Sequence, residues 1–95
     1  MPYIPKETRP KINNRVAELA LAVNTPEELS YAITKLILYC QLRIVEGKSA
    51  ISYSWLSHVL GVLEATKLEI YRRMVAPYEE IKAGKNGDVF QEGDQ

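Results

Sequence analysis

Residues 26–46 of this chain read PEELSYAITKLILYCQLRIVE, a run whose apolar residues fall on two sides of a helix. At about 100° per residue, one side collects six apolar residues and the nearly opposite side collects four. A helix that is apolar on two sides must be covered twice, and three or four short helices of one chain can hardly do so. We therefore expect the second side to pack against another copy of the chain. The two sides are Leu29, Ile33, Leu36, Ile37, Cys40 and Ile44, and Tyr31, Leu38, Leu42 and Val45.

The ends of this helix are marked by its flanking residues. Thr25 is a suitable cap, Pro26 suits the first helical position, and Glu28 completes a capping box. Glu27 and Glu28 also face the positive end of the helix dipole. Gly47 favours a helix end at about Glu46.

An extended arm and a first helix are predicted before this segment. Residues 1–9 contain Pro2 and Pro5 and are followed by Pro10, and the charged residues lie between Pro5 and Pro10, which favours an extended arm. The first helix is expected from about Pro10 to Val23. Its apolar side is formed by Ile12, Val16, Leu19, Ala20 and Val23.

A long third helix is predicted from about Tyr53 to Ala76, with Ser52 or Ser54 as its cap. Its apolar stripe repeats at three- and four-residue steps. Pro77 should end or kink this helix, because it lacks an N–H donor and disfavours helical geometry at the preceding residue. The stripe contains Leu56, Val59, Leu60, Leu63, Ile70 and Met74.

The rest of the chain is predicted to be a short helical turn over Tyr78–Ala83 and a C-terminal tail over residues 84–95. Val89-Phe90 is an apolar dipeptide within that polar tail, which indicates that it docks on another surface. The fold class is therefore all-α, in a single domain covering residues 1–95. We expect a long antiparallel helical hairpin, an N-terminal helix and a C-terminal arm, assembled as a homo-oligomer, most simply a dimer.

Composition excludes several classes of protein. The chain has 95 residues, enough for one modest core. Its formal net charge of zero argues against a general nucleic-acid binder. Its apolar runs are too short to span a membrane, and its start lacks the pattern of a secretion signal, so we expect a cytoplasmic protein. The single cysteine, Cys40, excludes an internal disulfide and a multi-cysteine zinc site.

Recognisable catalytic and metal-binding patterns are missing from the sequence. His58 and Cys40 are the only residues of their kinds, and no carboxylate pair accompanies them at ligand spacing. The oxygen-bearing residues of the tail match no calcium loop. We also find no serine elbow, no Cys-His pair and no phosphate-binding glycine loop. We expect neither a metal nor a cofactor, and no enzyme activity.

The third helix carries a polar group on its apolar side. Lys67 falls within the stripe, with Glu64 a turn before it and Tyr71 a turn after it. In a low-dielectric patch these groups could form a ligand-binding or acid–base site. The alternative is a structural cluster in which Lys67 pairs with Glu64 and Tyr71 finds its own hydrogen-bond partner.

A second candidate group follows directly. Arg72 and Arg73 carry forked donors that suit phosphates and carboxylates, and Tyr71 and Tyr78 could stack on a base. The alternative is that these arginines complement a helix C-terminus, with Glu69 and Arg73 as an ordinary surface pair. The complete set of candidate ligand-binding residues is Glu64, Lys67, Tyr71, Arg72, Arg73, Tyr78 and Glu79, in which the two glutamates would hold the cations in place.

Trp55 and Val62 lie near this flank of the third helix. An exposed tryptophan is a common anchor at interfaces, which favours a contact surface here.

Several segments resemble a known family. They are LSYAIT (29–34), SY (52–53), GVLE (61–64), KLEIYRR (67–73), VAPYE (75–79), Lys82 and NGDVF (86–90). The chain resembles, from Leu29 to Phe90, a family of small uncharacterised proteins of bacteriophages and bacterial genomes. That family usually has more acidic residues before the Asn-Gly and ends in tyrosine, where this chain has Ala83-Gly84-Lys85 and Phe90. The resemblance implies a phage or prophage origin and a compact helical fold, with no established activity.

Three hypotheses for function remain. The first is a non-catalytic binding protein of phage type that sequesters a small anionic ligand, such as a signalling nucleotide, or blocks a host defence protein. The second is a structural or assembly subunit that holds a protein partner. The third is a small enzyme that acts on a nucleotide through Glu64 and Lys67, which the missing nucleophile and metal patterns disfavour.

Overall fold

The structure is a computed structural model that describes residues 2–44, 53–90 and 93. Every regular element within these ranges is helical, which confirms the all-α prediction. In chain order the elements are a 3₁₀ turn (Lys6–Thr8), α1 (Pro10–Ala20), α2 (Pro26–Ile44), α3 (Tyr53–Ile70), a π-helical turn (Tyr71–Val75) and α4 (Ala76–Asn86).

The chain divides into two units, Met1–Val59 and Leu60–Gln95, and the boundary falls within α3. The link between α2 and α3 lies outside the described residues, as do the predicted helix end at Glu46 and the predicted cap Ser52. The antiparallel hairpin and the single domain therefore stay predictions. Ser54 lies inside α3 and is not its cap.

The N-terminal arm folds back on itself between residues 4 and 9, so the prediction of an extended arm is wrong there. The hydroxyl of Thr8 donates to the carbonyl oxygen of Pro5 at 2.8 Å, and the backbone N–H of Thr8 donates to the same oxygen at 3.1 Å. Arg9 Nε donates to the carbonyl oxygen of Ile4 at 2.9 Å. These side chains satisfy backbone carbonyls locally, which favours a turn over an extended segment.

Helix α1 ends at Ala20, three residues before the predicted end at Val23. The next three backbone N–H groups each bond to the carbonyl three residues back, at 2.9–3.3 Å, rather than four residues back. Such tightening is a common way to satisfy the last carbonyls of a helix.

The capping box at the start of α2 is confirmed. The backbone N–H of Glu28 donates to Thr25 Oγ1 at 3.1 Å. In return, Glu28 Oε1 accepts the backbone N–H groups of Thr25 at 3.1 Å and of Asn24 at 2.8 Å. The box therefore satisfies three backbone donors at the turn between α1 and α2.

We expect Thr25→Ala to lower the free energy of unfolding by about 1 kcal/mol, because it removes the oxygen that caps α2. Thr34→Ala is the matched control. The Thr34 hydroxyl donates to the Ser30 carbonyl oxygen, 2.9 Å away inside the helix, and alanine is the better helix former there. Urea unfolding at fixed protein concentration, followed by circular dichroism, gives both values. Equal losses in the two variants would contradict a capping role.

The helical path does not end at Pro77, so of the predicted end or kink the end is wrong. Pro77 lies in the first turn of α4, and the N–H of Ala76 bonds to the carbonyl of Tyr71, five residues back. A proline in a regular helix would crowd the carbonyl four residues back, here that of Arg73. The wider π turn before Pro77 accommodates the proline without a break.

Helix α4 also extends past Gly84, where the tail was predicted to begin, and ends at Asn86. A glycine inside a helix costs only about 1 kcal/mol relative to alanine, and Gly84 is tolerated. Gly87 ends the helix instead, with a φ of 89° that favours glycine.

A single copy has no hydrophobic core within its described residues, since none of them is buried. On α2 the first apolar side remains exposed at Leu29 and Ile33, and the second side at Leu38 and Leu42. Burial of apolar surface is the main favourable term in folding, and this copy alone forgoes part of it. The expected surplus of apolar surface on α2 is thus present on both of its sides.

Candidate functional site

The candidate residues all lie on one helical path in the unit Leu60–Gln95. Glu64 and Lys67 belong to the last turns of α3, and Tyr71, Arg72 and Arg73 form the start of the π turn. Tyr78 and Glu79 follow on α4. Single π turns inside longer helices occur frequently at functional sites, and this favours a functional role for residues 71–75.

Glu64 and Lys67 form the predicted pair, with 3.4 Å between Lys67 Nζ and Glu64 Oε1. Their side chains are 60% and 71% exposed, respectively. The low-dielectric patch considered for this pair is therefore absent from a single copy, because both groups remain in water. An exposed pair of this kind contributes about 0–1 kcal/mol, so it acts as a surface contact.

Arg72 forms an ion pair with the carboxylate of Glu69. Arg72 Nη2 donates to Glu69 Oε1 at 2.8 Å, whereas one of the two alternatives from the sequence paired Glu69 with Arg73. Residues three and four apart are both within reach on a helix, so sequence spacing alone did not decide the partner. The Glu69 side chain is only 22% exposed, and it fixes the base of an otherwise exposed guanidinium.

Arg73, Tyr71 and Tyr78 are also exposed. Lys82 Nζ lies 5.7 Å from the centre of the Tyr78 ring, within the range of a cation–π contact. Among the residues that the structure describes, Glu79 makes no ion pair, so its predicted role of holding the arginines is not seen in a single copy. Glu69 performs that role for Arg72.

The chemistry available on this segment is the binding of an anion. Lys67, Arg72 and Arg73 supply ammonium and guanidinium donors, and Tyr71 and Tyr78 supply aromatic faces. Charge-assisted hydrogen bonds from arginine suit phosphate and carboxylate oxygens. A single helical path does not enclose a ligand, however, so a second surface is needed to exclude water from it.

Trp55 is half-buried rather than exposed, which corrects the expected anchor. Its indole Nε1 donates to Gln41 Oε1 at 3.3 Å, and this bond joins α3 to α2 within the unit Met1–Val59. Val62, in contrast, remains exposed. Local sequence patterns do not predict this bond, because Trp55 and Gln41 are 14 positions apart.

Sequence analysis also missed an open groove between α1 and α2 with a volume of about 670 Å³. At its edge Lys35 Nζ lies 5.8 Å from the centre of the Tyr31 ring and 5.4 Å from that of the Tyr39 ring. The signal in the sequence was the repeat of these residues at four-residue steps along one side of α2.

The described residues contain neither a candidate metal-ion site nor a candidate membrane-spanning helix. No group of three or more His, Cys, Asp or Glu side chains converges there in a way that could hold a metal ion. None of the described helices is long and apolar enough to cross a membrane.

A family model described as a domain of unknown function, DUF6899, matches residues 1–89. The chain belongs to the DUF6899 family. The match confirms the expected membership in an uncharacterised family, and the matched residues include the four α-helices of the described ranges and the candidate segment 64–79. No curated protein and no solved structure matches this DUF6899 chain.

Proposed function

We propose that this DUF6899 protein is a non-catalytic binding protein of phage or prophage origin that works as an assembly of copies. Its ligand is a small anion, such as a nucleotide, held at Lys67, Arg72 and Arg73. The observation that carries the proposal is the exposed cationic segment at the π turn, in which Arg72 is fixed by the 2.8 Å hydrogen bond that it donates to Glu69.

The roles of the residues follow from their chemistry. Arg73 offers two parallel N–H donors to phosphate oxygens, and Arg72, which Glu69 orients, and Lys67 add positive charge. The exposed rings of Tyr71 and Tyr78 stack on a base. A net charge of zero provides no long-range attraction for a polyanion, which favours a small ligand over nucleic acid.

Assembly completes the site in this proposal. The apolar residues that flank the cationic segment, among them Leu63, Ile70 and Met74, are exposed in one copy. When another copy covers these residues, water is excluded from the edge of the cationic segment. Electrostatic contacts strengthen as water is removed, so the assembled site binds an anion more tightly than one copy does.

A second candidate function is the capture of a protein partner, such as a host defence protein, or a role as an assembly subunit. The apolar residues Leu60 and Val62 on α3 favour it, because both side chains are exposed and available for contacts with a protein partner. Pull-down with Val62→Glu and Arg73→Ala separates the two candidates. Capture that is lost only in Val62→Glu supports a protein partner.

We expect Arg73→Ala to weaken binding of the best nucleotide roughly 10- to 100-fold, since a hydrogen bond to a charged group contributes about 1.5–3 kcal/mol. Lys85→Ala is the control, because it removes a cation from the last turn of α4, away from the π turn. Titration calorimetry with a panel of linear and cyclic nucleotides measures both. The anion proposal fails if no nucleotide binds the folded wild-type protein, or if the two variants lose affinity equally.

A further inference from the structure

The candidate segment 64–79 carries as many carboxylates as cations, so its formal charge is zero. Glu80 follows directly on α4 and adds a further negative charge. A ligand with several negative charges therefore meets no excess of positive charge on this helical path. The charge balance limits which anion the site can hold. The cations are Lys67, Arg72 and Arg73, and the carboxylates are those of Glu64, Glu69 and Glu79.

Lys67 and Arg72 are already paired with carboxylates of the same helical path. Glu64 Oε1 lies 3.4 Å from Lys67 Nζ. Glu69 Oε1 accepts the 2.8 Å hydrogen bond from Arg72 Nη2. Arg73 is exposed, and among the residues that the structure describes it makes neither a hydrogen bond nor an ion pair. Its guanidinium is therefore the group that can bind one phosphate group through two parallel donors.

Glu79 is the first carboxylate after Arg73 in the chain. Its side chain is exposed and makes no ion pair within residues 2–44 and 53–90. Six residues separate it from Arg73, which corresponds to about 9 Å along a helical path. Two like unit charges at about that distance in water repel each other enough to change a binding constant roughly twofold. Each further negative charge on a ligand near Glu79 therefore weakens binding.

We propose that the ligand group bound at Arg73 is a phosphodiester with a single negative charge, and that Glu79 sets this limit on its charge. One negative charge matches the one guanidinium of the segment that no described carboxylate pairs with. The additional charges of a phosphomonoester or a polyphosphate lie beyond that contact and are repelled by Glu79. The exposed rings of Tyr71 and Tyr78 stack on the attached base. The inference rests on the proposed function and narrows its ligand to nucleotide diesters.

A matched series of nucleotides tests the charge limit with the full-length protein. It consists of the 5′-methyl phosphate, monophosphate, diphosphate and triphosphate of the nucleoside that binds best in the nucleotide panel. At pH 8, above the second pKa of a phosphomonoester of about 6, they carry about one, two, three and four negative charges. Titration calorimetry at about 0.01 M ionic strength limits screening, and divalent metal ions are left out because they bind polyphosphates. We expect the methyl phosphate to bind most tightly and the triphosphate roughly five- to tenfold more weakly.

Glu79→Gln should remove most of this dependence, because it removes the charge and keeps the size of the side chain. We expect the affinity for the triphosphate to rise roughly fivefold and that for the methyl phosphate to change by no more than about twofold. Asp88→Asn is the matched control, because it removes a carboxylate beyond the end of α4 and keeps the oxygen that accepts the Phe90 N–H. It should retain the wild-type dependence. Circular dichroism verifies that both variants keep their helices.

The outcomes separate this inference from the proposed function. If no nucleotide binds the folded wild-type protein, both are overturned. If nucleotides bind and Arg73→Ala weakens them, but affinity stays level or rises from the methyl phosphate to the triphosphate, the charge limit alone is overturned. A Glu79→Gln variant that keeps the wild-type dependence, or that loses affinity for all four ligands alike, overturns the role of Glu79.

Discussion

Dilution over a thousandfold range of concentration should lower the unfolding temperature of this protein by roughly 10 °C. For a dimer that unfolds to single chains, this dilution removes about 4 kcal/mol of stability. A change of 1 kcal/mol moves the midpoint by about 2–4 °C for an assembly of this combined size. The physical reason is that none of the described residues is buried in a single copy. If the protein assembles as we propose, contacts between copies supply the missing stability.

Circular dichroism across the melt gives the midpoint at high concentration. Fluorescence of Trp55, the only tryptophan of the chain, extends the measurement to dilute samples. Agreement of the two signals shows that one cooperative transition is followed. A midpoint that does not change with concentration would indicate that a single copy is stable alone.

The second large effect is expected for Leu42→Glu. Leu42 is 66% exposed in a single copy, and substitution of a surface residue usually changes stability by no more than about 0.5 kcal/mol. We expect instead that the variant loses assembly, with a dissociation constant raised at least about a hundredfold. Leu42 belongs to the second apolar side of α2, and a glutamate there would place an unpaired carboxylate in the interface.

Leu21→Glu is the control for this substitution. Leu21 is 84% exposed and follows the last residue of α1, outside both apolar sides of α2. Leu21→Glu adds the same negative charge as Leu42→Glu, and we expect the Leu21→Glu protein to assemble normally. Size-exclusion chromatography with light scattering measures the molar mass of both variants. If Leu42→Glu assembles as well as Leu21→Glu does, the second side of α2 is not an interface.

The local parts of the fold were predictable from the sequence. The capping box of Thr25 and Glu28 was correct in residues and bonding, because its hydrogen bonds join neighbours in the chain. Of the two outcomes predicted at Pro77, an end or a kink, the end was wrong, because the rule describes a regular helix and a π turn lets the chain pass through the proline. The end of α4 was missed because Gly84 is tolerated and Gly87 supplies the positive φ.

The candidate site was predictable in its composition but not in its pairing. Helical spacing placed Glu64 beside Lys67, and the structure contains that pair. Spacing could not choose between Arg72 and Arg73 as the partner of Glu69, since both are within reach. The groove edged by Lys35 was missed because it depends on how α1 lies against α2, which no local pattern reports.

Sedimentation equilibrium of the full-length protein, from about 100 µM down to nanomolar concentrations, tests the central claim most directly. We expect particles of at least two chains at high concentration, and circular dichroism of the same samples should show loss of helix as the particles dissociate on dilution. Fully helical single chains that persist at the lowest concentration would contradict this expectation.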